Sequence, residues 1–152
     1  MTSEKHNIPT FHIDKESLIK KAVEMKSSGK YNCAQAVACA FADSIGVDEN
    51  TIYDVGNAFG RGMGAMEATC GALTGAGIII GIASGDRVKS MQSMAEILRR
   101  FDQRNGATIC KHLKGITIDP QTGKMTPGKP LRACNLCVAD SAEFLADAIS
   151  LL

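Results

Sequence analysis

Residues 68–84 read ATCGALTGAGIIIGIAS, and the way this stretch is read decides the fold. It is the longest apolar run in the chain. A membrane-spanning helix needs about 20 apolar residues. This run is shorter, carries Thr69, Cys70 and Thr74, and is fenced by Glu67 and Asp86. The run therefore reads as a Gly-rich central helix, buried on most sides, around which the rest of the chain folds.

Working outward, helix punctuation recurs on both sides. Asp14 precedes an apolar stripe of Leu18, Ile19, Ala22, Val23 and Met25, and Gly29 follows where a left-handed C-cap would sit. Asn32 can cap a second helix with Cys33, Val37, Phe41 and Ile45 at steps of four before Gly46. Asp48 opens a third over residues 49–59, and Phe59-Gly60-Arg61-Gly62-Met63-Gly64 then breaks the pattern as a chain reversal. Downstream of the central run, Asp86 caps a fifth helix that ends at Asn105-Gly106, and residues 108–113 add one or two turns. Residues 115–133 hold Pro120, Pro127 and Pro130 with Gly123 and Gly128, a long loop with a hairpin around 119–123. A last helix runs from Arg132 to the C-terminus. The expected architecture is all-α, a compact single-domain bundle of about six helices, with residues 1–13 as an N-terminal extension and 14–152 as the helical domain.

Composition agrees with that reading. The 152 residues are 45% hydrophobic but only 5% aromatic, with no Trp, 15 Gly and 7 Met, which suits close-packed helices rather than aromatic-rich sheets. Seventeen Lys plus Arg against sixteen Asp plus Glu leave a charge of +1, without the basic footprint that nucleic acid requires. Residues 1–11 show no apolar core of a secretory signal, so a reducing cytoplasm is expected, without membrane insertion. In that compartment six cysteines point to metal binding, redox chemistry or burial rather than to a disulfide framework.

Four of the six, Cys33, Cys70, Cys110 and Cys134, fall at expected helix N-termini. Free backbone N–H groups and the positive end of the helix dipole lower a thiol's pKa there and favour the thiolate, the form that attacks or ligates. Lys30, Lys111, His112 and Arg132 lie within three residues of one or another of them. Cys39 lies mid-helix, about 120° round the wheel from Cys33, and reads as core. Cys137 forms a C-x-x-C with Cys134, but neither a βαβ pattern nor a following His accompanies it, against thioredoxin-like and haem-attachment readings. The scattered spacing is unlike zinc knuckles, yet helix starts spread along the chain can gather four thiolates for an iron–sulfur cluster or another thiophilic metal. Two of them can equally form a reversible disulfide.

The glycines carry two further readings. Gly60-x-Gly62-x-Gly64 lacks the preceding strand of a dinucleotide site. On the central helix, Gly77 and Gly81 fall within about 20° of the Cys70 direction at 100° per residue. That face is expected to be bare of side chains and open to close approach by another backbone or a cofactor.

Taken together, Tyr31-Asn32-Cys33-Ala34-Gln35-Ala36-Val37, Phe59-Gly60-Arg61-Gly62-Met63-Gly64, Cys70-Gly71-Ala72-Leu73-Thr74-Gly75, Cys110 and a C-terminal cysteine resemble the C_GCAxxG_C_C family. The resemblance spans residues 15–150 and implies a small helical, cytoplasmic protein of prokaryotes, called redox-active because of its cysteines. The chain is also similar to the domain of split-Soret cytochromes associated with an iron–sulfur cluster, without their C-x-x-C-H. Cys134 and Cys137 compete for the fourth position. Cys134 is preferred, because the family-like Val and Ala-Glu follow at Val138 and Ala142-Glu143.

Three functions stay open. Cys33, Cys70, Cys110 and Cys134, with Cys137 as a substitute, hold an iron–sulfur cluster or another thiophilic metal for electron transfer to an unidentified redox partner. Alternatively, a thiol–disulfide protein uses Cys70 as attacker. In the third reading the chain is a helical binding or assembly module, with a homodimer among its forms, whose thiols only pack.

Overall fold

The structure is a computed structural model that describes residues 11–152. Most of the expected N-terminal extension, and the stretch read as lacking a secretory signal, lie outside the described residues. Among the described residues seven α-helices follow in order: α1 (Lys15–Ser27), α2 (Cys33–Ala42), α3 (Glu49–Val55), α4 (Gly71–Ser84), α5 (Arg87–Asn105), α6 (Cys110–Lys114) and α7 (Cys134–Ser150). One antiparallel hairpin, β1 (Ile116–Ile118) with β2 (Met125–Pro127), pairs Thr117 with Thr126. The fold is all-α apart from this hairpin, which lies in the proline-rich segment. Among the described residues no helix is long and apolar enough to cross a membrane.

The caps are the ones the side chains dictate. Asp14, Asp48 and Asp86 accept hydrogen bonds from Ser17, Thr51 and Lys89 backbone N–H groups, satisfying donors that a helix start leaves free. Asn32 and Gln35 form a reciprocal capping box on α2, with Gln35 N–H donating to Asn32 at 2.8 Å and Asn32 N–H to Gln35 at 2.9 Å. The Asn32 and Gln35 amides then donate onward to the Gly56 and Tyr53 carbonyls, tying this cap to the end of α3. Consequently α3 stops at Gly56, short of the expected residue 59.

Helix α4 packs against α2, α5 and α7, and α1 closes over α2 and α7. Phe41, Leu73, Ile79, Ile80, Phe101, Phe144 and Leu145 fill the centre. Helix α2 carries five fully buried alanines, which lets the backbones approach closely. The closest approach is at Gly75, where a Cβ would overlap the Ala34 carbonyl oxygen and lie 3.0 Å from the Ala34 Cα.

Two expectations about this helix need correction. It begins at Gly71 rather than residue 68, because residues 68–70 are drawn into an extended bridge of Thr69 with Ile109. There Cys70 N–H donates to the Thr108 carbonyl at 2.7 Å and Cys110 N–H to the Ala68 carbonyl at 2.9 Å. Cys70 is the N-cap with φ −46° and ψ 129°, so a helical wheel does not describe its direction. The bare face is consequently that of Gly71 and Gly75. Gly77 meets only the end of Met94, and nothing lies within 4 Å of a Cβ at Gly81.

Gly75→Ala is expected to destabilise the protein by about 1–3 kcal/mol through overpacking. Gly81→Ala is expected to be neutral or to stabilise by up to about 1 kcal/mol, through helix propensity alone. Thermal melts of the two variants beside the parent check this; equal melting temperatures would contradict the assigned packing face.

Candidate functional site

Five of the six cysteines line one cavity of about 280 Å³: Cys33, Cys70, Cys110, Cys134 and Cys137. Four of them open helices. Cys33, Cys110 and Cys134 are the first residues of α2, α6 and α7, and Cys70 caps α4. Cys137 follows one turn into α7, on the face it shares with Cys134, so the alternatives for the fourth position both reach the cavity. Cys39 lies apart, buried in mid-helix with its thiol 3.9 Å from the Glu49 carbonyl.

Glycines set the spacing of these thiols. A Cβ at Gly71 would come within 3.2 Å of the Cys33 Cβ and 2.8 Å of the Phe59 carbonyl. A Cβ at Gly62 would come within 2.6 Å of the Cys110 Cβ and 2.8 Å of the Ala68 carbonyl. The same turn holds Arg61, Gly62, Met63, Gly64 and Met66 at positive φ, which explains the chain reversal. Gly60 is required by the cap of α2, since a Cβ there would collide with the Asn32 side chain. The glycines and the Asn-x-x-Gln of the motif therefore build the wall around the sulfurs.

Depth divides the thiols. Cys33 and Cys134 are half-buried, whereas Cys70, Cys110 and Cys137 expose 6%, 6% and 3% of their surface. Two pairs of thiols shift one another's acidity, Cys33 with Cys134 and Cys70 with Cys137. In each pair one acidity falls and the other rises. The Cys33 S–H donates to the Cys134 thiolate, which with Lys114 and Lys26 nearby holds Cys134 well below the ordinary thiol range. Donation to Cys134 and burial raise Cys33. Cys70 is lowered by Cys137 and by the backbone N–H groups of Ala72 and Leu73 at the α4 start. Cys137 is raised by its role as donor and by burial. Burial raises Cys110, opposed by Lys114 and Arg61, while Cys39 is pushed up to about 11 by burial and by Glu49.

The positive charge at the cavity comes from Lys26, Arg61, Lys114 and Arg132. Of the basic residues expected from sequence proximity only Arg132 lies there. Lys111 turns away to an ion pair with Glu67 at 2.6 Å, and the Lys30 carbonyl accepts from Tyr53 Oη. Adjacent residues on a helix do not share a face, which is why nearness in sequence misled for Lys111. Lys26 and Lys114 each occupy the last turn of a helix and reach a cysteine of another, a relation only the packing reveals. Arg132 is held by the buried Asp140, which also accepts from Arg104 at 2.9 Å.

Among the described residues no group of three or more Cys, His, Asp or Glu is arranged to hold a metal ion. Comparison with known proteins supplies the class. The family model described as "Putative redox-active protein (C_GCAxxG_C_C)" matches residues 31–148, and the chain belongs to that family. No curated protein and no solved structure matches it.

Thiol alkylation should report the asymmetry of the outer pair. A lowered pKa keeps Cys134 as thiolate when the pH falls below the ordinary thiol range, so in the reduced, metal-free chain Cys134 is expected to react at pH 6 while Cys33 and Cys39 do not. Lys114→Gln removes part of the stabilising charge and should move the Cys134 profile to higher pH. Peptide mapping after iodoacetamide treatment reads both; equal labelling of Cys33 and Cys134 would contradict the assignment.

Proposed function

We propose that the protein carries electrons by way of an iron–sulfur cluster held in the thiol cavity by Cys33, Cys70, Cys110 and Cys134. Cys137 is the alternative to Cys134. The observation that carries this reading is the gathering of four helix-start cysteines, from four helices, around one partly buried space. A single zinc ion needs every sulfur about 2.3 Å from one point. Thiols lining a cavity of about 280 Å³ suit a cofactor of several atoms instead.

The donor set fits such a group. Thiolates are the ligands of iron–sulfur clusters, and the α4 N–H groups together with Lys26, Arg61, Lys114 and Arg132 offset the negative charge of a tetrathiolate site. When bound, a cluster takes up and releases single electrons. The chain's own residues set the conditions: buried Cys70 and Cys110 keep water from the inner side, and the cations favour the more negative, reduced state and so raise the potential. The half-buried Cys33 and Cys134 form the side nearest solvent, where a redox partner would approach.

Anaerobic purification followed by iron, zinc and acid-labile sulfide analysis tests this reading. Iron and sulfide in comparable amounts, with visible absorption that bleaches on reduction, are expected. Cys70→Ser and Cys110→Ser should lower cofactor content severalfold, while Cys39→Ser should leave it unchanged. A folded protein without iron or sulfide, or variants that behave alike, would overturn it.

A further inference from the structure

We propose that the mouth of the thiol cavity is a docking surface for an acidic electron-carrier protein, held by Lys26, Arg61, Lys114 and Arg132. As the partner of that same site, it deepens the reading proposed above and rests on it.

The argument is one of charge and its placement. The chain as a whole is nearly neutral, at +1. Its cavity is not, because among the described residues those four cations line it and no carboxylate does. The adjoining hollow, which shares Lys114, Arg132 and Cys134, adds no carboxylate either. The acidic residues of α7 are engaged elsewhere, where Asp140, Glu143 and Asp147 pair with Arg100, Arg104 and Lys15. Of the four cavity cations only Arg132 has a carboxylate partner among the described residues, Asp140, and it shares that partner with Arg104. No ion pair of the described residues involves Lys26, Arg61 or Lys114.

Helix dipoles account for part of this charge. Lys26 and Lys114 lie in the last turns of α1 and α6, where a cation is favourable. Arg61 answers no dipole. It is exposed and sits in a turn at φ 54° and ψ 45°, a backbone region that side chains disfavour. Glycine would hold the same turn without strain, so what Arg61 adds is its charge at the cavity.

Exposure decides what such a charge does. Water screens an exposed cation from a buried group, while its field reaches outward about 10 Å at 0.1 M salt and about 30 Å at 0.01 M. Over that range it steers an oppositely charged protein and rejects a like-charged one. The half-buried Cys33 and Cys134 line the same cavity, so a partner seated on the cations stands over the side nearest solvent. Nucleic acid would call for a basic stripe along a face or a helix, whereas these cations gather at one hollow.

The test uses the full chain, purified anaerobically, with a plant-type ferredoxin as the acidic probe and cytochrome c as its basic counterpart. Calorimetric titration at low ionic strength should show binding to the ferredoxin and none to cytochrome c. The affinity should fall about tenfold or more when salt is raised from about 0.01 to 0.2 M. Lys26→Gln combined with Arg61→Gln should weaken binding about fivefold or more, circular dichroism serving as the control for folding. Lys89→Gln should change it less than about twofold, since Lys89 lies beyond the far end of α4, whose 14 residues span about 21 Å. Carbodiimide crosslinking joins lysines directly to carboxylates, and peptide mapping should find the ferredoxin on Lys26 or Lys114 of the unsubstituted chain. No binding, equal or tighter binding of cytochrome c, tighter binding of an oligodeoxynucleotide, a folded double variant that binds like the parent, or crosslinks confined to other lysines would overturn the docking surface. Binding is read on the chain with or without iron, so the two readings fail separately. Iron-free protein that binds ferredoxin through Lys26 and Lys114 contradicts the cluster and supports the docking surface. Iron-loaded protein that ignores ferredoxin supports the cluster and contradicts the partner.

Discussion

Helices α2 and α4 approach so closely that residue 75 has no room for a side-chain carbon against the Ala34 backbone, and the thiol cavity depends on that approach. It brings the first residue of α2 beside the cap of α4, and with them Cys33 and Cys70. A glycine at each contact is the condition: Gly71 beneath Cys33, Gly75 beneath Ala34 and Gly62 beneath Cys110. Overpacking at any of them pushes a cysteine-bearing element outward, so packing and chemistry are set by the same residues. The Thr69–Ile109 bridge completes the arrangement by holding Cys70 and Cys110 one residue beyond a paired stretch of backbone, each at a helix start.

Collecting five thiols in a partly buried space has an electrostatic cost, since burial disfavours thiolate. Three local effects offset it. Backbone N–H groups of Ala72 and Leu73 face the Cys70 sulfur, Lys26 and Lys114 lie near the Cys134 sulfur, and each lowered thiol accepts a hydrogen bond from a raised one. The result is a cavity in which negative charge is tolerated at two defined sulfurs. Asp140 stands behind this arrangement, because it restrains Arg132 at the cavity wall while also pairing with Arg104 of α5. Helices α5 and α7 are thereby locked on the side away from the thiols, where Arg100 and Arg104 also stack on Phe144.

Much of this was legible in the chain because its signals are local. Asp14, Asn32, Asp48 and Asp86 mark helix starts through short-range capping, and all four caps are made. The helix-start position of the four spaced cysteines is of the same kind. What escaped is what depends on which elements meet. A helical wheel that counts Cys70 as helical points to Gly77 and Gly81, whereas the capping geometry of Cys70 shifts the packing face of α4 to Gly71 and Gly75. Lys26 and Lys114 act on Cys134, which is distant from both in sequence. The interaction between Cys70 and Cys137 joins residues far apart in the chain. One signal was available: glycines four apart directly after Cys70, set against the alanine-rich start of α2, mark a close helix crossing.

The central claim is that these glycine-permitted contacts place the sulfurs around a single iron-containing cofactor. Anomalous diffraction at the iron edge, from crystals grown anaerobically of protein purified without added metal, tests it most directly. The account predicts iron density inside the cavity, ligated by Cys33, Cys70, Cys110 and either Cys134 or Cys137. An ordered cavity without iron, or iron bound elsewhere on the chain, would contradict it.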